Sequence, residues 1–319
     1  MSKKYATEHL PEIYKSMKGR WTISSQLDGV EGFFNRGIFL VKKGKNITGE
    51  AKAIMKRLPT EAMQPSYARR EITILAGLNH PTILQLRDSH VPEHPHETPW
   101  MVTEYCEHQT LKDLLQTYQI ENRMVPEAFV WHVFDSLARA VHFCHHGRGS
   151  SKNWDPVSHR DITAFNVFIK ADPTEEADTY SYSIKLGDFG CAITQSEWTN
   201  KVLDLAVEDL PEVDWDYRPP EGPVPTEAGD VYQIGKIMWC FFYLQTPDKN
   251  AVCSILTEQK RRPGHKKYSK ELLEVIIACL GKDPDKRPIA YDLIKTLLKE
   301  RLALIKDGKM KFEPLTLLD

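Results

Sequence analysis

The sequence has no Cys-x-x-Cys pair: its six cysteines, at 106, 144, 191, 240, 253 and 279, are scattered along 319 residues. That scatter argues against a disulfide framework or a zinc site, and it fits a reducing, intracellular compartment, cytoplasm or nucleus. Charge of one sign is also lacking. Lys and Arg number 42 against 44 Asp and Glu, for a net charge of -2. Such a balance gives no overall pull toward nucleic acid or an anionic membrane. The first residues, MSKKYATEHLPEIYKSMKGRW, hold no apolar signal core, and no stretch approaches the length of a membrane span. Internal repeats and low-complexity linkers are missing too. What is present is core material: 41% hydrophobic and 27% charged residues, a balance that argues against disorder.

Short runs set the organisation. Between 21 and 58, "GIFLVKK" and "AKAIMKRL" alternate around turn signals at Gly44 and Gly49 and predict strands. The apolar spacing of 66–78 predicts a helix, and "TILQLRDSHV" and "PWMVTEYC" predict two more strands. From Leu111 the period becomes helical, through "LKDLLQTYQ" and then "PEAFVWHVFDSLARAVHFCHH", which opens on Pro126. "NVFIK" and "SIKLG" predict short strands before a long irregular stretch, and helices are predicted around 228–244, 270–280 and 291–306. The expected fold class is α+β, a small β-rich lobe followed by a larger helical one.

Two strings beside predicted strands carry chemistry. His159-Arg160-Asp161 followed by Asn166 resembles the H-R-D-x-x-x-x-N catalytic loop of protein kinases, and Asp188-Phe189-Gly190 resembles D-F-G. Either string alone recurs by chance; both, in order, do not. "AIMK" resembles the third-strand motif and singles out Lys56, while "REITILAGLNHPTI" offers Glu71 as its partner. "MVTEYCEHQTL" resembles a hinge with Thr103 as gatekeeper, "YRPPE" the A-P-E box ending at Glu221, and "GDVYQIG" the following helix with Asp230. "DPDKRP" supplies Arg287. The resemblance to the eukaryotic protein kinase superfamily, serine/threonine type, runs from Trp21 to Leu304, with a finer likeness to NIMA-related kinases in "EYCE", "NVFI" and "KLGDFG". It implies a bilobal domain over 21–306 (small lobe 21–103, hinge 104–107, large lobe 108–306), after an extension at 1–20 and before a tail at 307–319.

The resemblance implies roles for residues whose chemistry suits phosphoryl transfer, which needs charge neutralisation and positioning more than covalent work. Lys56 would hold the α- and β-phosphates of ATP, fixed by Glu71. Asp188 and Asn166 offer hard oxygen ligands to Mg²⁺. Asp161 would orient the acceptor hydroxyl and take its proton. Glu104 and Cys106 would meet adenine through their backbones. The partner would be a protein substrate, with no nucleic acid and no membrane. Singly, each residue also fits a bland role, such as a surface lysine or a turn aspartate; the shared order is what the bland roles do not explain.

Four departures qualify the pattern. The glycine loop lacks G-x-G-x-x-G: "DGVEGFFNRGIF" offers Gly29 and Gly32, with Phe34 as the tip aromatic and Asn35 in the third glycine's place. Ile54 stands where alanine usually covers adenine, and Phe168 is large for the floor. An insertion, "GRGSSKNWDPV", lengthens the path from His145 to His159 and reads as a surface loop. Most telling, Thr163 stands where the catalytic loop usually has lysine. Counting back from Glu221 places Asp214 where its threonine partner usually stands, so a Thr163–Asp214 hydrogen bond is expected.

Other features read more plainly. His90, His94 and His96 fall in a proline-bearing loop and are expected to be solvated, not metal-bound. "KRRPGHKK" reads as a solvated basic loop, and "DLIKTLLKERLALI" as a terminal helix packed on its own lobe. The end, "MKFEPLTLLD", is expected to fray. Arg160 resembles the arginine that meets a phosphorylated activation segment. Here that segment offers Thr194, Ser196 and Thr199, but also Glu208, Asp209, Glu212, Asp214 and Asp216. The sequence thus favours an active but slow ATP- and Mg²⁺-dependent kinase. A pseudokinase scaffold is the alternative, and a small-molecule kinase of the aminoglycoside type fits the later motifs less well.

Overall fold

The computed structural model describes residues 10–17, 19–27, 36–44, 52–64, 66–149, 153–172, 182–200, 214–244 and 268–317. They belong to two compact units, Met1–Asn79 with Leu84–Tyr105, and His80–Ile83 with Cys106–Asp319.

The first unit is built on five antiparallel strands: β1 (Trp21–Gln26), β2 (Ile38–Lys43), β3 (Lys52–Arg57), β4 (Leu86–His90) and β5 (Trp100–Glu104). Their order across the sheet is β1-β2-β3-β5-β4. Alternation does the positioning: Phe39 and Val41 of β2, with Ala53 and Met55 of β3, point into one core beside Trp100 and Val102. A helix that the sequence reading left inside the extension, α1 (Leu10–Met17), completes that core with Ile13 and Met17. It is tied down by Ser16, whose Oγ accepts from Trp100 Nε1 at 2.7 Å. Helix α2 (Tyr67–Gly77) buries Ile72 and Leu75, and among them Glu71. His90, expected in a loop, ends β4 and lies 5.9 Å from the Trp100 ring.

The second unit is mainly helical. Helix α3 (Leu111–Ile120) opens on a capping box in which Thr110 and Asp113 satisfy each other's backbone N–H groups. The central helix, α4 (Glu127–His146), is buried along its length, as its nearly continuous apolar run requires. Helices α5 (Gln195–Thr199), α6 (Glu227–Tyr243), α7 (Lys270–Cys279) and α8 (Ala290–Lys306) follow. Strands β7 (Val167–Ala171) and β8 (Tyr182–Leu186) form one antiparallel pair, and β6 (Val157–Ser158) and β9 (Ile193–Thr194) another. Strand β9 and α5 lie in a stretch expected to be irregular. Helix α8 turns Leu293, Leu297 and Leu304 inward, as its spacing predicts.

Two segments are better anchored than expected. Within the insertion, Trp154 donates from Nε1 to the Cys144 carbonyl at 2.9 Å and sits edge-on to Phe143. Its ring lies so close to Gly147, at φ +65°, that a Cβ there would fall 2.5 Å from it, so only glycine fits. In the tail, the Thr316 N–H donates to Tyr118 Oη at 2.9 Å. Among the described residues no helix is long and apolar enough to cross a membrane.

Candidate active site

In the first unit, strand β3 delivers Lys56 and α2 delivers Glu71. Their side chains meet, Nζ to Oε1, at 2.7 Å, with both residues buried. Burial makes the pair decisive: an ammonium excluded from water needs a counter-ion within contact distance. The strand register places Ile54 opposite Thr103, so the large side chain and the gatekeeper are cross-strand neighbours. Glu104, also buried, meets Gln85, just ahead of β4, twice, since its N–H donates to Gln85 O and its Oε1 accepts from Gln85 N. Gly29 and Gly32 lie outside the described residues, as do Phe34 and Asn35.

In the second unit the catalytic loop hangs from α6. Asp230, in the first turn of that helix, accepts from His145 Nε2 (2.8 Å), His159 N (3.0 Å) and Arg160 N (2.9 Å). Gln233, one turn on, accepts from Ile162 N at 2.9 Å and donates to Arg160 O at 2.6 Å. Four loop groups are thus fixed by two side chains of one helix. The fixation holds Arg160 in left-handed backbone geometry that only glycine adopts freely, at φ 70°, and Asp188 takes the same geometry at φ 56°. His159 is fully buried against Phe189 and kept neutral by burial. Its Nε2 faces the Gly187 carbonyl at 3.0 Å while its Nδ1 accepts from Asp161 N, which assigns the ring proton to Nε2.

Asp161 is the focus. Asn166 Nδ2 donates to its main-chain oxygen and to Oδ2, each at 2.9 Å, and the Asp214 N–H lies 3.4 Å from Oδ1. Burial and the neighbouring Asp188 charge raise its pKa from 3.8 to about 6, partly offset by those hydrogen bonds. Because Nδ2 is spent on Asp161, Asn166 keeps Oδ1 as an acceptor. Asp188 is pinned by the Gly190 N–H at 3.3 Å. One amide oxygen and one carboxylate suit Mg²⁺, which takes few protein ligands and relies on substrate phosphates for the rest. No larger cluster of metal-ligating side chains occurs among the described residues, the loop histidines included. Phe168 lies in β7, next to the contacts that join it to Gln109 and Thr110. Cys106 is half-buried.

The segments that flank the catalytic loop meet it through backbone groups. Asp214 reaches the catalytic loop through its main chain, and its carboxylate accepts from Asp216 N at 2.9 Å. Arg160 directs Nη1 to Cys191 O at 2.9 Å and Nε to Pro223 O at 3.4 Å, so backbone carbonyls engage its guanidinium. Two residues singled out separately in the sequence come together: Arg287 grips Glu221 with Nη1 and Nη2, both at 2.6 Å. Sequence reasoning missed Gln233, His145, Tyr217 and Lys236. Gln233 and Lys236 could have been suspected as polar residues inside the apolar run "VYQIGKIMWCFF".

Comparison with known proteins agrees with this geometry. The protein kinase domain family matches residues 37–298. The chain belongs to that family. Its relatives include the serine/threonine-protein kinase Nek11 of Homo sapiens, 25% identical over 269 residues, covering 81% of this chain and 37% of that protein. The G2-specific protein kinase nimA of Emericella nidulans is 26% identical over 254 residues, covering 71% and 34%. Serine/threonine-protein kinase Nek2 of Homo sapiens is 25% identical over 258 residues, covering 76% and 54%. The finer likeness to NIMA-related kinases holds. The chain spans a third to a half of these relatives' lengths.

Proposed function

We propose that the chain is an ATP- and Mg²⁺-dependent protein kinase that phosphorylates serine or threonine of a protein substrate, with slow turnover. Its catalytic domain is taken as 21–306. The observation that carries the reading is Asp161, a partly buried carboxylate with a pKa raised to about 6 and two hydrogen-bond donors fixing its oxygens. A carboxylate so placed orients an acceptor hydroxyl and receives its proton as the O–P bond forms, with ADP leaving in line.

Lys56, set by Glu71, binds the α- and β-phosphates. ATP binding is assigned to Gly29, Gly32, Thr103, Glu104, Cys106 and Phe168 as well. Asn166 and Asp188 hold Mg²⁺, which neutralises charge on the triphosphate. His159, Arg160, Asp230, Glu221 and Arg287 keep the loop and the following segment in place. Thr163 supplies no cation to the γ-phosphate, which supports the low rate; the departing glycine loop and Ile54, opposite Thr103, are what favour a scaffold with weak nucleotide binding.

The deciding experiment is phosphotransfer from labelled ATP to a serine/threonine peptide library, alongside a thermal-shift titration with ATP and Mg²⁺. Incorporation that disappears in Asp161→Asn supports the kinase. No incorporation and no shift at millimolar nucleotide support the scaffold.

A further inference from the structure

Lys236 is a lysine where a helix core has little use for one. It is 2% exposed, in the middle of α6. Its surroundings are functional ones. One turn further on the same face, Cys240 donates from Sγ to the Lys236 carbonyl at 3.1 Å and lies 3.8 Å from Tyr217 Oη. That phenol in turn accepts from Ala164 N at 3.3 Å, so this face of α6 lies beneath both the catalytic loop and the 214–217 segment. The segment brings acid with it. Asp216 Oδ1 is buried and has no hydrogen-bond partner among the described residues. A buried carboxylate oxygen in that state is costly without a cation within electrostatic reach. Burial lowers the Lys236 pKa, while Cys240 and then the Asp216 and Asp214 carboxylates act to raise it. Its ammonium also faces the Trp239 ring at 5.8 Å.

We propose that Lys236 is a positioning residue that replaces, from beneath, part of what a lysine at position 163 would do. It holds the Asp214–Asp216 carboxylates and so keeps the 214–217 segment against the catalytic loop. The linkage to the reacting end is continuous. Asp216 N donates to Asp214 Oδ1 at 2.9 Å, and Asp214 N faces Asp161 Oδ1 at 3.4 Å. A shift of the segment therefore moves a donor off the carboxylate that orients the acceptor hydroxyl. Its catalytic consequence rests on the reading of the chain as a kinase; the charge pairing itself does not.

The test has two arms on the full chain. In the first, thermal unfolding is measured for Lys236→Met, Asp216→Asn and the double variant. The singles, each leaving one buried charge without its counterpart, should lower Tm by several degrees, and the double should recover much of that loss. Losses that simply add overturn the pairing. If Lys236→Met yields no folded protein, a double variant that folds supports the pair, and one that does not fold overturns it. In the second arm, Lys236→Met should lower kcat about tenfold with little change in the KM for ATP, and adding Thr163→Lys should restore part of it. An unchanged kcat, or no rescue, overturns the positioning role. A wild-type chain without phosphotransfer would sink the kinase reading and leave the stability cycle to decide the charge pair.

Discussion

Asn166 turns its side-chain amide onto Asp161, so that the residue assigned to the metal and the residue assigned to the acceptor hydroxyl share a bond of 2.9 Å. The two roles are therefore coupled geometrically before any ligand arrives. With Asp214 N on the other oxygen, the Asp161 carboxylate has little rotational freedom left, which is the preorganisation that positioning catalysis requires.

Replacing that carboxylate isolates its contribution. Asp161→Asn keeps size and removes the proton acceptor, and its amide presents N–H to at least one of the two donors now facing it. Phosphotransfer should fall about 100- to 10,000-fold. The thermal shift caused by ATP should be retained, because Asp161 is assigned to the acceptor and not to adenine. Unchanged turnover would show that another group takes the proton.

The raised pKa of Asp161 gives a pH dependence with a definite sign. Between 3.8 and about 6 the folded chain binds a proton that the unfolded chain does not, so this group's contribution to stability declines as pH rises through that window. Turnover should run the other way, falling as pH drops below about 6 and the carboxylate is protonated. The Asp188 charge is one cause of the shift, so Asp188→Asn should move the Asp161 midpoint downward. Carboxyl ¹³C NMR reads that midpoint without activity, and a midpoint unmoved by Asp188→Asn would rule out the charge effect.

Much of this site is legible in the sequence because it is local or motif-bound. The Lys56–Glu71 pair and the Asp161–Asn166 spacing follow from fixed short strings, which also single out Glu221 and Arg287 though not their pairing. What stayed hidden depends on contacts between distant parts of the chain. Nothing near His145 announces that it shares Asp230 with His159, or near Tyr217 that its hydroxyl meets Ala164. Helix α1 was passed over for another reason. Its eight residues show only two turns of apolar spacing, and what confirms it is the Trp100 indole on Ser16.

Glu221 and Arg287 test how firmly the large lobe holds its end of the activation segment. Arg287 is fully buried at its side chain, while Glu221 keeps 21% exposure. Glu221→Ala would strand the guanidinium, leaving it the carbonyls of Gly281 and Ala228 and the face of Tyr232. A loss of about 3 kcal/mol is expected, at the lower end for a broken buried pair because Glu221 is partly solvated. Denaturant unfolding measures it; a loss near zero would mean those other contacts suffice.

Phosphorylation of the described activation-segment hydroxyls should not be required. Thr194 caps α5, Ser196 Oγ donates to Asp155 Oδ2 at 2.5 Å, and Thr199 donates to Gln195 O. A phosphate on Ser196 would be placed beside a carboxylate, which repels it. Arg160 already engages two carbonyls. Phosphatase treatment should therefore leave turnover unchanged. Alanine at all three positions should cost about 1 kcal/mol of stability through the lost cap, without abolishing activity. Abolished activity in either experiment would return Arg160 to the role of phosphate receptor. Glu208, Asp209 and Glu212 lie outside the described residues.

The last prediction concerns the missing lysine itself. Thr163 is 3% exposed, and the neighbouring segment meets the catalytic loop through the Asp214 main chain. Asp214→Thr therefore keeps the N–H that faces Asp161, and a threonine hydroxyl can replace the Oδ1 that accepts from Asp216 N. With the anion gone, Thr163→Lys is no longer drawn to a carboxylate at 214 and can extend to the γ-phosphate. A hydrogen bond to a charged group is worth about 1.5–3 kcal/mol. Realised only in the transition state, that corresponds to roughly a 10- to 150-fold gain in kcat. The double variant should thus outpace the wild type, and Thr163→Lys alone should gain less because Asp214 competes for the new cation. Asp214→Thr alone should lower proteolytic protection of the segment only in part, since the main-chain bond to Asp161 and the Asp216 carboxylate remain. A double variant no faster than wild type would mean that the slow step lies elsewhere, and that the threonine at 163 does not set the rate.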